Sequence, residues 1–252
     1  MPSDSRQLEL LSSFYAPLRR KAPGSEASTM RALRMLRGLP DAPRVVDFGC
    51  GSGASTLVLA AATGGEIVAV DLLRPFLGRL TSDAAAAGLS HRIAPLQADM
   101  TDPPLADGTF DLVWAEGAIY VVGFETGLRR WRRLLLPGGW LAVTEATWLT
   151  VEPPPEAAAY WSAAYPAMTT VDANLMTMHA AGFEVLGHFA LPASDWEDFY
   201  GPLERRLDEF RRERGNEPDA LGIADAEQRE LDLWRACGTS YGYVFYLGRR
   251  VG

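Results

Sequence analysis

The stretch that decides the fold is Arg44–Gly53, which reads R-V-V-D-F-G-C-G-S-G. Val45, Val46 and Phe48 form a short apolar run with β-branched residues, which is typical of a buried strand. Three glycines follow at alternate positions, and the segment 54–63, rich in Ala and Leu, predicts a helix. Glycine carries no Cβ and tolerates positive φ, so this turn can bring backbone N–H groups close to a ligand. The stretch therefore predicts a ligand-binding turn between a strand and a helix.

From this turn to residue 148 the chain alternates between strand and helix patterns. Apolar runs predict strands, and the segments between them have the length of helices. The predicted strands are 44–48, 67–71, 92–97, 110–114 and 140–147, and the predicted helices are 54–63, 74–87 and 123–135. This order implies parallel βαβ units with right-handed crossovers.

The flanking segments do not continue this alternation of strands and helices. Two helices are expected before the first strand, at 5–14 and 28–37, the second with Ser28 as its N-cap. After the chain-breaking V-E-P-P-P-E, the expected order is helix, helix, strand, two charged amphipathic helices and a last strand. These elements are predicted at 156–165, 170–181, 183–191, 196–214, 225–237 and 242–248. The two helices between late strands indicate an insertion into one domain, 1–252, and not a second domain.

Composition narrows the class of protein. The 252 residues are 48% hydrophobic, enough for one full α/β core, and carry a formal net charge of -8. That charge argues against a general nucleic-acid binder, because neutralising phosphates needs a basic face. Cys50 and Cys237 are too few for a disulfide framework or a four-ligand zinc site. Without an apolar run of transmembrane length or a signal-peptide core, the sequence predicts a cytoplasmic protein without a membrane partner, either a monomer or a homodimer.

Five sequence blocks carry a resemblance. In order they are V-V-D-F-G-C-G-S-G, V-A-V-D, A-D-M, F-D-L-V-W-A-E-G-A and L-L-P-G-G-W-L-A-V-T-E, within residues 44–145. Their order and spacing resemble the class I S-adenosylmethionine-dependent methyltransferases. The later segment Y-G-Y-V-F-Y-L-G is similar to a bacterial small-molecule branch of that superfamily.

The resemblance implies a fold. It is an α/β, Rossmann-like, doubly wound sheet of seven strands, whose last strand is antiparallel and inserted beside the fifth. Residues 1–40 would form a helical N-terminal lid and residues 41–150 the cofactor-binding core. Residues 151–252 would complete the sheet and add a helical cap as an insertion.

Asp71 ends the second predicted strand. In an open α/β sheet the carboxyl ends of neighbouring strands face one crevice, so this carboxylate could accept hydrogen bonds from both hydroxyls of a ribose. That role suits a dinucleotide as well as S-adenosylmethionine. The alternative is a structural one, in which Asp71 caps the helix that begins after Leu73.

The glycine spacing alone does not choose between these cofactors, because G-C-G-S-G-A also fits the dinucleotide pattern. Three features favour S-adenosylmethionine. Asp47 stands where the resembling enzymes place an acidic residue around the methionine amino group. Asp99 is placed for the adenine amine, with Met100 as an apolar wall, and P-G-G precedes the fifth strand. The implied cofactor residues are Asp47, Gly49, Cys50, Gly51, Gly53, Asp71, Leu72, Asp99, Met100 and Glu116, and the implied product is S-adenosylhomocysteine.

Methyl transfer mainly requires that the nucleophile, the methyl carbon and the sulfur are aligned and that water is excluded. A general base matters only if the nucleophile must lose a proton. The candidates follow the fourth and fifth strands, or lie on a later helix, and they are Glu116, Tyr120, Glu145 and His179, with Trp148 beside them. Glu116 could instead serve as a helix N-terminal charge, and His179 could be structural. The histidines are too scattered to predict a metal site.

Three functions stay open at this point. The first is transfer of a methyl group to an N, O or C atom of a small molecule in an enclosed pocket. The second is methylation of a nucleic acid or protein, although A-E-G-A stands where a base-methylating Asn/Asp-Pro-Pro-Tyr-like tetrapeptide would be. The third is a catalytically silent cofactor-binding protein. In the first case residues 5–28 would fold over the cofactor, with Tyr15 near its methionine end, and aromatic residues of the cap would line the pocket or simply bury the cap.

Overall fold

A mostly parallel sheet forms the centre of the protein in a computed structural model that describes residues 4–252. The first three residues of the predicted lid lie outside the described part. The strands are β1 (Arg44–Phe48), β2 (Glu66–Asp71), β3 (Ile93–Gln97), β4 (Phe110–Ala115), β5 (Leu135–Trp148), β6 (Thr169–Thr170), β7 (Phe183–Ala190) and β8 (Tyr241–Arg250).

The strand order is β3-β2-β1-β4-β5-β8-β7, and the two-residue β6 pairs with the end of β5. Strands β1 to β5 are parallel to their neighbours, whereas β8 runs antiparallel between β5 and β7. The predicted Rossmann-like sheet, with its last strand inserted antiparallel beside the fifth, is confirmed.

Helices cover both faces of the sheet. They are α1 (Asp4–Tyr15), α2 (Glu26–Met35), α3 (Ala54–Ala62), α4 (Arg74–Ala86), α5 (Phe124–Arg132), α6 (Pro155–Ala164), α7 (Val171–Ala180), α8 (Ala193–Arg214) and α9 (Pro218–Cys237), with a short 3₁₀ turn at Ile119–Val121. Among residues 4–252, no helix combines the length and the apolar composition that crossing a bilayer requires.

Alternating side chains of the strands build two cores. Val45 points to a core that also holds buried residues of α1 to α4, α8 and α9. Val46 and Phe48 point to the opposite core, which is closed by α5 and α7, and the ring of Phe48 stacks on Trp131 of α5 at 4.5 Å between centroids. The N-terminal helices and the late helical insertion therefore pack on the same face of the sheet.

Several boundaries differ from the prediction, among them the start of α9 at Pro218, and two of the differences have identifiable reasons. Helix α2 is capped by Ser25, whose side chain accepts a hydrogen bond from the Ser28 N–H, so Ser28 is not the cap. The Ser28 hydroxyl instead donates to Asp195 of α8 at 2.6 Å. Strand β5 begins at Leu135 and not at Trp140, because the P-G-G segment continues the strand across a register shift opposite β4.

A buried arginine docks α1 onto α8. Arg206 is only 4% exposed, and its Nε and Nη2 donate to the carbonyls of Phe14 and Ser13 at 3.0 and 3.2 Å. These carbonyls belong to the last turn of α1, where intrahelical partners are missing and a cation is favoured. The ring of Phe14 packs edge-on against Phe210 beside them.

We expect Arg206→Met to weaken this docking, because Met keeps the apolar stem but leaves two helix-end carbonyls without their charged donor. The free energy of unfolding should fall by about 1.5–3 kcal/mol, the range for hydrogen bonds to a charged group. Hydrogen exchange should accelerate across α1. Arg205→Met changes the exposed neighbour on the same helix turn and serves as the control. Equal exchange of α1 in both variants would contradict the docking role.

Candidate active site

Four neighbouring strands end at one cavity. The carboxyl ends of β3, β2, β1 and β4 lie side by side, and the segments that follow them line a cavity of about 390 Å³. We call it the strand-end cavity. Its lining from these segments comprises Gly49, Gly51, Asp71, Leu72, Leu73, Ala98, Asp99, Met100, Gly117 and Ala118. Parallel topology thus brings together residues that are far apart in the sequence.

The glycine turn after β1 takes a conformation that other residues adopt poorly. Gly49 and Gly53 have φ values of +64° and +83°. A Cβ on Gly49 would lie 2.4 Å from the Cβ of Ala118, and one on Gly53 would lie 2.1 Å from Leu80 Cδ1. The turn therefore needs glycine both for its backbone angles and for its close packing.

Asp71 lines the strand-end cavity and accepts two backbone hydrogen bonds there. Its Oδ2 accepts a hydrogen bond from the Gly51 N–H and its Oδ1 accepts one from the Leu73 N–H, both at 2.8 Å. Burial raises the pKa of this carboxyl, and the two N–H groups and Lys21 oppose the shift. Each carboxylate oxygen retains a further acceptor position, so the group can still bind hydroxyls of a ligand.

The turn offers fewer free N–H groups than the sequence suggests. Besides the Gly51 N–H, the Cys50 N–H donates to the Val70 carbonyl at 3.0 Å and the Gly53 N–H donates to the Cys50 carbonyl at 2.8 Å. The expectation that the turn presents bare backbone donors to a ligand is therefore wrong for these three groups. The N–H groups of Cys50 and Gly51 fasten the turn to β2, and that of Gly53 bonds within the turn.

Asp47 lies beneath the turn and is fully buried. Its Oδ2 accepts hydrogen bonds from Thr56 at 2.6 Å and Ser55 at 3.1 Å, in the first turn of α3. Burial raises its pKa to about 7. Asp47 does not line the strand-end cavity, so in this structure it supports the turn and does not face the ligand space.

Leu72, Asp99 and Met100 all line the strand-end cavity, and their contact with adenine stays a prediction. Asp99 accepts the Thr101 N–H at 2.8 Å, which lowers the pKa of its carboxyl. Cys50 is different. Its thiol is buried, and burial raises its pKa well above the ordinary value, which disfavours a reactive thiolate at this position.

Glu116 follows β4 and makes three hydrogen bonds. Its carboxylate accepts from Thr29 Oγ1 at 2.6 Å, Trp114 Nε1 at 3.1 Å and Arg20 Nη1 at 3.1 Å, the last as an ion pair, and its side chain is 6% exposed. It lines a cleft of about 50 Å³ beneath the glycine turn. The structure therefore places Glu116 as an anchor for the segment around Arg20.

That segment, residues 16–25 between α1 and α2, we call the connector. Lys21 of the connector lies across Gly51 and donates to the carbonyls of Tyr15, at 2.8 Å, and Leu18. Its ammonium lies 4.7 Å from the centroid of the Phe76 ring. Burial and Arg79 lower its pKa to about 8. Lys21 is a site residue that was not recognised from the sequence.

A second cavity, of about 220 Å³, adjoins the first. We call it the aromatic cavity, because rings from the connector side, α6, α8 and β8 form most of its wall. These rings belong to Tyr15, Tyr120, Trp161, Tyr165, Trp196, Phe199, Tyr241 and Tyr243. Four residues line both cavities, namely Tyr15, Lys21, Tyr120 and Glu227. These four mark the junction between the two spaces.

The remaining predicted catalytic residues lie elsewhere. Glu145 is 2% exposed and does not line the aromatic cavity. Trp148 does not line it either, and its ring packs edge-on against Tyr241, a lining residue, with 6.2 Å between the ring centroids. His179 is exposed in the last turn of α7, which closes the opposite core from the cavities. Of the four candidates, the structure brings only Tyr120 to the junction, and the roles of the others stay predictions.

Glu227 and Glu230 of α9 also line the aromatic cavity, and the sequence alone did not identify them. A signal was nevertheless present. Glu227 continues the helical spacing of Ala220, Ala224 and Leu231, which are buried. A carboxylate at a core position of an amphipathic helix is unusual, and it indicates a site where that carboxylate is used.

Comparisons with known proteins agree with this arrangement. Residues 45–139 match the methyltransferase domain family. Sterol 24-C-methyltransferase ERG6B of Gibberella zeae is 29% identical over 202 residues, covering 74% of this chain and 50% of that protein. A methyltransferase of Geobacter sulfurreducens, solved with S-adenosylhomocysteine, superposes with a TM-score of 0.83 at 18% identity, covering 96% and 98% of the two chains. The [4+2]-cyclase SpnF superposes with a TM-score of 0.74 at 21% identity, covering 98% and 95%.

These comparisons bear on the domain and on the fold. Residues 45–139 match a methyltransferase domain, and the chain has the fold of the solved S-adenosylmethionine-dependent methyltransferases on which it superposes, as its motifs predicted. The chain spans half or less of the length of the curated relatives it matches.

We expect Asp71→Ala to weaken binding of S-adenosylhomocysteine by about 1.5–3 kcal/mol, because hydrogen bonds to a charged group are lost. That free energy corresponds to a dissociation constant about 10–150-fold higher, measurable by isothermal titration. Asp83→Ala removes an exposed carboxylate that pairs with Arg79 on α4, and it should leave the affinity unchanged. Unchanged affinity in a folded Asp71→Ala protein would contradict the placement of the ribose.

Glu145 should make stability depend on pH. Burial raises the pKa of this carboxyl from 4.5 to about 8, and the Tyr165 hydroxyl only partly opposes the shift. The fold therefore holds the protonated form, so this contribution to stability is complete below pH 4.5 and is lost as the pH rises through about 8. We expect Glu145→Gln to raise the melting temperature more at about pH 9 than at about pH 5.

The control for this measurement is Glu184→Gln, which changes an exposed carboxylate of β7. Its melting temperature should follow the wild-type protein across the same pH range. An identical pH dependence of the wild-type and Glu145→Gln proteins would contradict a buried protonated carboxyl at position 145.

Proposed function

We propose that the protein transfers a methyl group from S-adenosylmethionine to a small molecule bound in the aromatic cavity. The observation that carries this proposal is the junction of two cavities at four residues. One cavity is built from strand ends around Asp71, and the other is walled by aromatic rings. A methyl group can pass between two ligands only where their binding spaces meet.

The residues of the strand-end cavity fit this cofactor. Asp71 suits the ribose hydroxyls, Asp99 the adenine amine, and Leu72 and Met100 the faces of the adenine ring. Lys21 lies across the glycine turn, where its ammonium can bind the methionine carboxylate. The volume of about 390 Å³ lies within the usual range of small-molecule sites, roughly 300–1,000 Å³.

A dinucleotide fits less well. Its pyrophosphate needs free backbone donors at the glycine turn and the helix N-terminus. Here the N–H groups of Cys50, Gly51 and Gly53 are already bonded within the protein. Asp71 also places a carboxyl group beside this turn, and its ionised form would repel a diphosphate.

When bound, S-adenosylmethionine supplies a methyl group on a sulfonium whose sulfur is its own leaving group. The chain's task is therefore alignment and exclusion of water. Tyr15 and Lys21 close the junction from the N-terminal side, and Tyr120 closes it from the 3₁₀ turn after β4. Glu227 is the carboxylate at the junction and can accept a proton from an acceptor that must lose one.

The dimensions of the aromatic cavity favour a compact acceptor. Its volume of about 220 Å³ lies behind the connector and the helices of the cap. A duplex or a folded protein surface would have to enter the same space to reach the methyl group. The formal net charge of -8 further disfavours nucleic acid as the acceptor.

Two measurements test the proposal. Isothermal titration should show one site for S-adenosylhomocysteine and affinity for NAD lower by at least about 100-fold, a difference of about 2.7 kcal/mol. Incubation with methyl-labelled S-adenosylmethionine and a fractionated cell extract should place the label in the low-molecular-weight fraction. Tighter binding of NAD, or label confined to RNA or protein, would contradict the proposal.

A further inference from the structure

The aromatic cavity contains two carboxylates from one turn of α9. Glu227 and Glu230 are three positions apart, so their side chains leave the helix on the same side. Burial raises the pKa of both carboxyls, that of Glu227 to about 7, and the charge of Glu230 adds to the shift at Glu227. Two adjacent carboxyl groups in a largely apolar space favour the protonated form unless a positive charge compensates the ionised form, so a bound cation would shift them towards ionisation.

The protein itself supplies little compensation. Within the part of the chain that the structure describes, no nitrogen of Lys, Arg or His lies within 4.0 Å of either carboxylate. Their polar contacts are with neutral phenols. The Tyr200 hydroxyl donates to Glu230 Oε1 at 3.1 Å, and Tyr15 interacts with Glu227. A cationic partner is therefore missing on the side that faces the cavity.

Lys21 also lines the aromatic cavity, but its charge is directed elsewhere. The ammonium is bonded to the carbonyls of Tyr15 and Leu18 and lies over the ring of Phe76, which lines the strand-end cavity. The carboxylate that stabilises its charge is Asp71. Lys21 thus belongs electrostatically to the strand-end cavity, and the charge of the two glutamates remains open to a ligand.

The same cavity presents further polar atoms. The hydroxyls of Tyr165 and Tyr241 and the indole N–H of Trp161 are buried and form no hydrogen bond of normal geometry in the described residues, although Tyr165 lies beside Glu145 and Tyr241 beside Trp161. Tyr241 is only 1% exposed. Buried polar atoms normally have a well-placed partner, so these groups remain available to a polar ligand. The wall also offers ring faces, including the stacked pair of Trp196 and Tyr243 at 5.4 Å.

We infer that the acceptor is an amine, bound as an ammonium by Glu227 and Glu230 and enclosed by the aromatic rings of this cavity. This inference rests on the proposed function and names the class of its acceptor. A cation gains from carboxylates and from aromatic faces together, whereas an anion would meet two like charges and a neutral alcohol would leave both carboxylates uncompensated.

The chemistry assigns different parts to the two glutamates. Glu227 lines both cavities, so it takes one proton from the ammonium and leaves a neutral amine. The nitrogen lone pair then forms a bond to the methyl carbon while the carbon–sulfur bond breaks, and the electron pair of that bond remains on sulfur. The products are an N-methylammonium ion and S-adenosylhomocysteine, and the proton on Glu227 passes to solvent. Glu230, which lines only the aromatic cavity, holds the charge of the amine.

The test compares ligands that differ only in their head group. The protein is first titrated with S-adenosylhomocysteine and then, saturated with it, with 2-phenylethylamine, 2-phenylethanol and 3-phenylpropionate. Tryptamine and its alcohol analogue tryptophol form a second, larger pair. In at least one pair the amine should bind at least about tenfold more tightly than the alcohol, equivalent to about 1.4 kcal/mol, and more tightly than the acid.

Variants assign the preference to the glutamates. Glu230→Gln and Glu227→Gln should each reduce the amine's advantage over the alcohol at least about threefold. The affinity of the alcohol itself should stay unchanged, which a misfolded variant would not allow. Glu204→Gln removes a carboxylate on the outer side of α8, where it pairs with Arg235, and should preserve the preference. Mass spectrometry with S-adenosylmethionine should then detect the N-methylated form of any amine that binds.

Four outcomes would overturn the inference. They are equal binding of amine and alcohol in both pairs, tighter binding of the acid, a preference for amines that survives in both glutamine variants, and failure of every amine to bind the saturated protein. A protein that binds no S-adenosylhomocysteine contradicts the proposed function instead, so the two failures remain distinguishable.

Discussion

The carboxylate of Glu116 holds the connector against the edge of the sheet, and both cavities depend on this contact. It accepts hydrogen bonds from Thr29, Trp114 and Arg20, and thereby joins the end of β4 to the two sides of the connector. Tyr15 and Lys21, which flank or belong to that connector, complete the walls of both cavities. One buried ion pair thus helps to position the wall that the two cavities share.

Buried carboxyl groups are concentrated around this edge of the sheet, and each has a different environment. Asp71 receives two backbone N–H groups, and Asp47 receives two hydroxyls. Glu145 leaves one oxygen without a partner, and Glu227 faces a phenol and a second carboxylate. Because desolvation opposes ionisation, the pKa of each group rises. Ionisation of these buried carboxyl groups is therefore unfavourable, and a cationic ligand would stabilise their ionised forms.

Several residues of the strand-end cavity and its glycine turn could be recognised because they follow local rules, and their contact with a cofactor stays a prediction. Gly49 and Gly53 were recognised from a strand that ends in a turn, Asp71 from its place at the end of a strand, and Asp99 from its position after one. Parallel topology alone brings such positions together. The role expected for Glu116 rested on its place after β4, and the same place exposes it to Arg20 and Thr29. These contacts could not be foreseen, because they join positions 96 and 87 residues apart.

The sequence by itself determined the alternation of strands and helices, the glycine turn and the cofactor side of the site. These features depend on periodicity, on backbone angles and on the common direction of parallel strands. Only the tertiary structure decided the acceptor side. There the connector, α6, α8, α9 and β8 converge from separate parts of the chain. No local sequence pattern predicts which faces of separate helices meet. Glu227 lines the cavity because α9 packs beside α1 and α6, and this packing is a property of the tertiary structure.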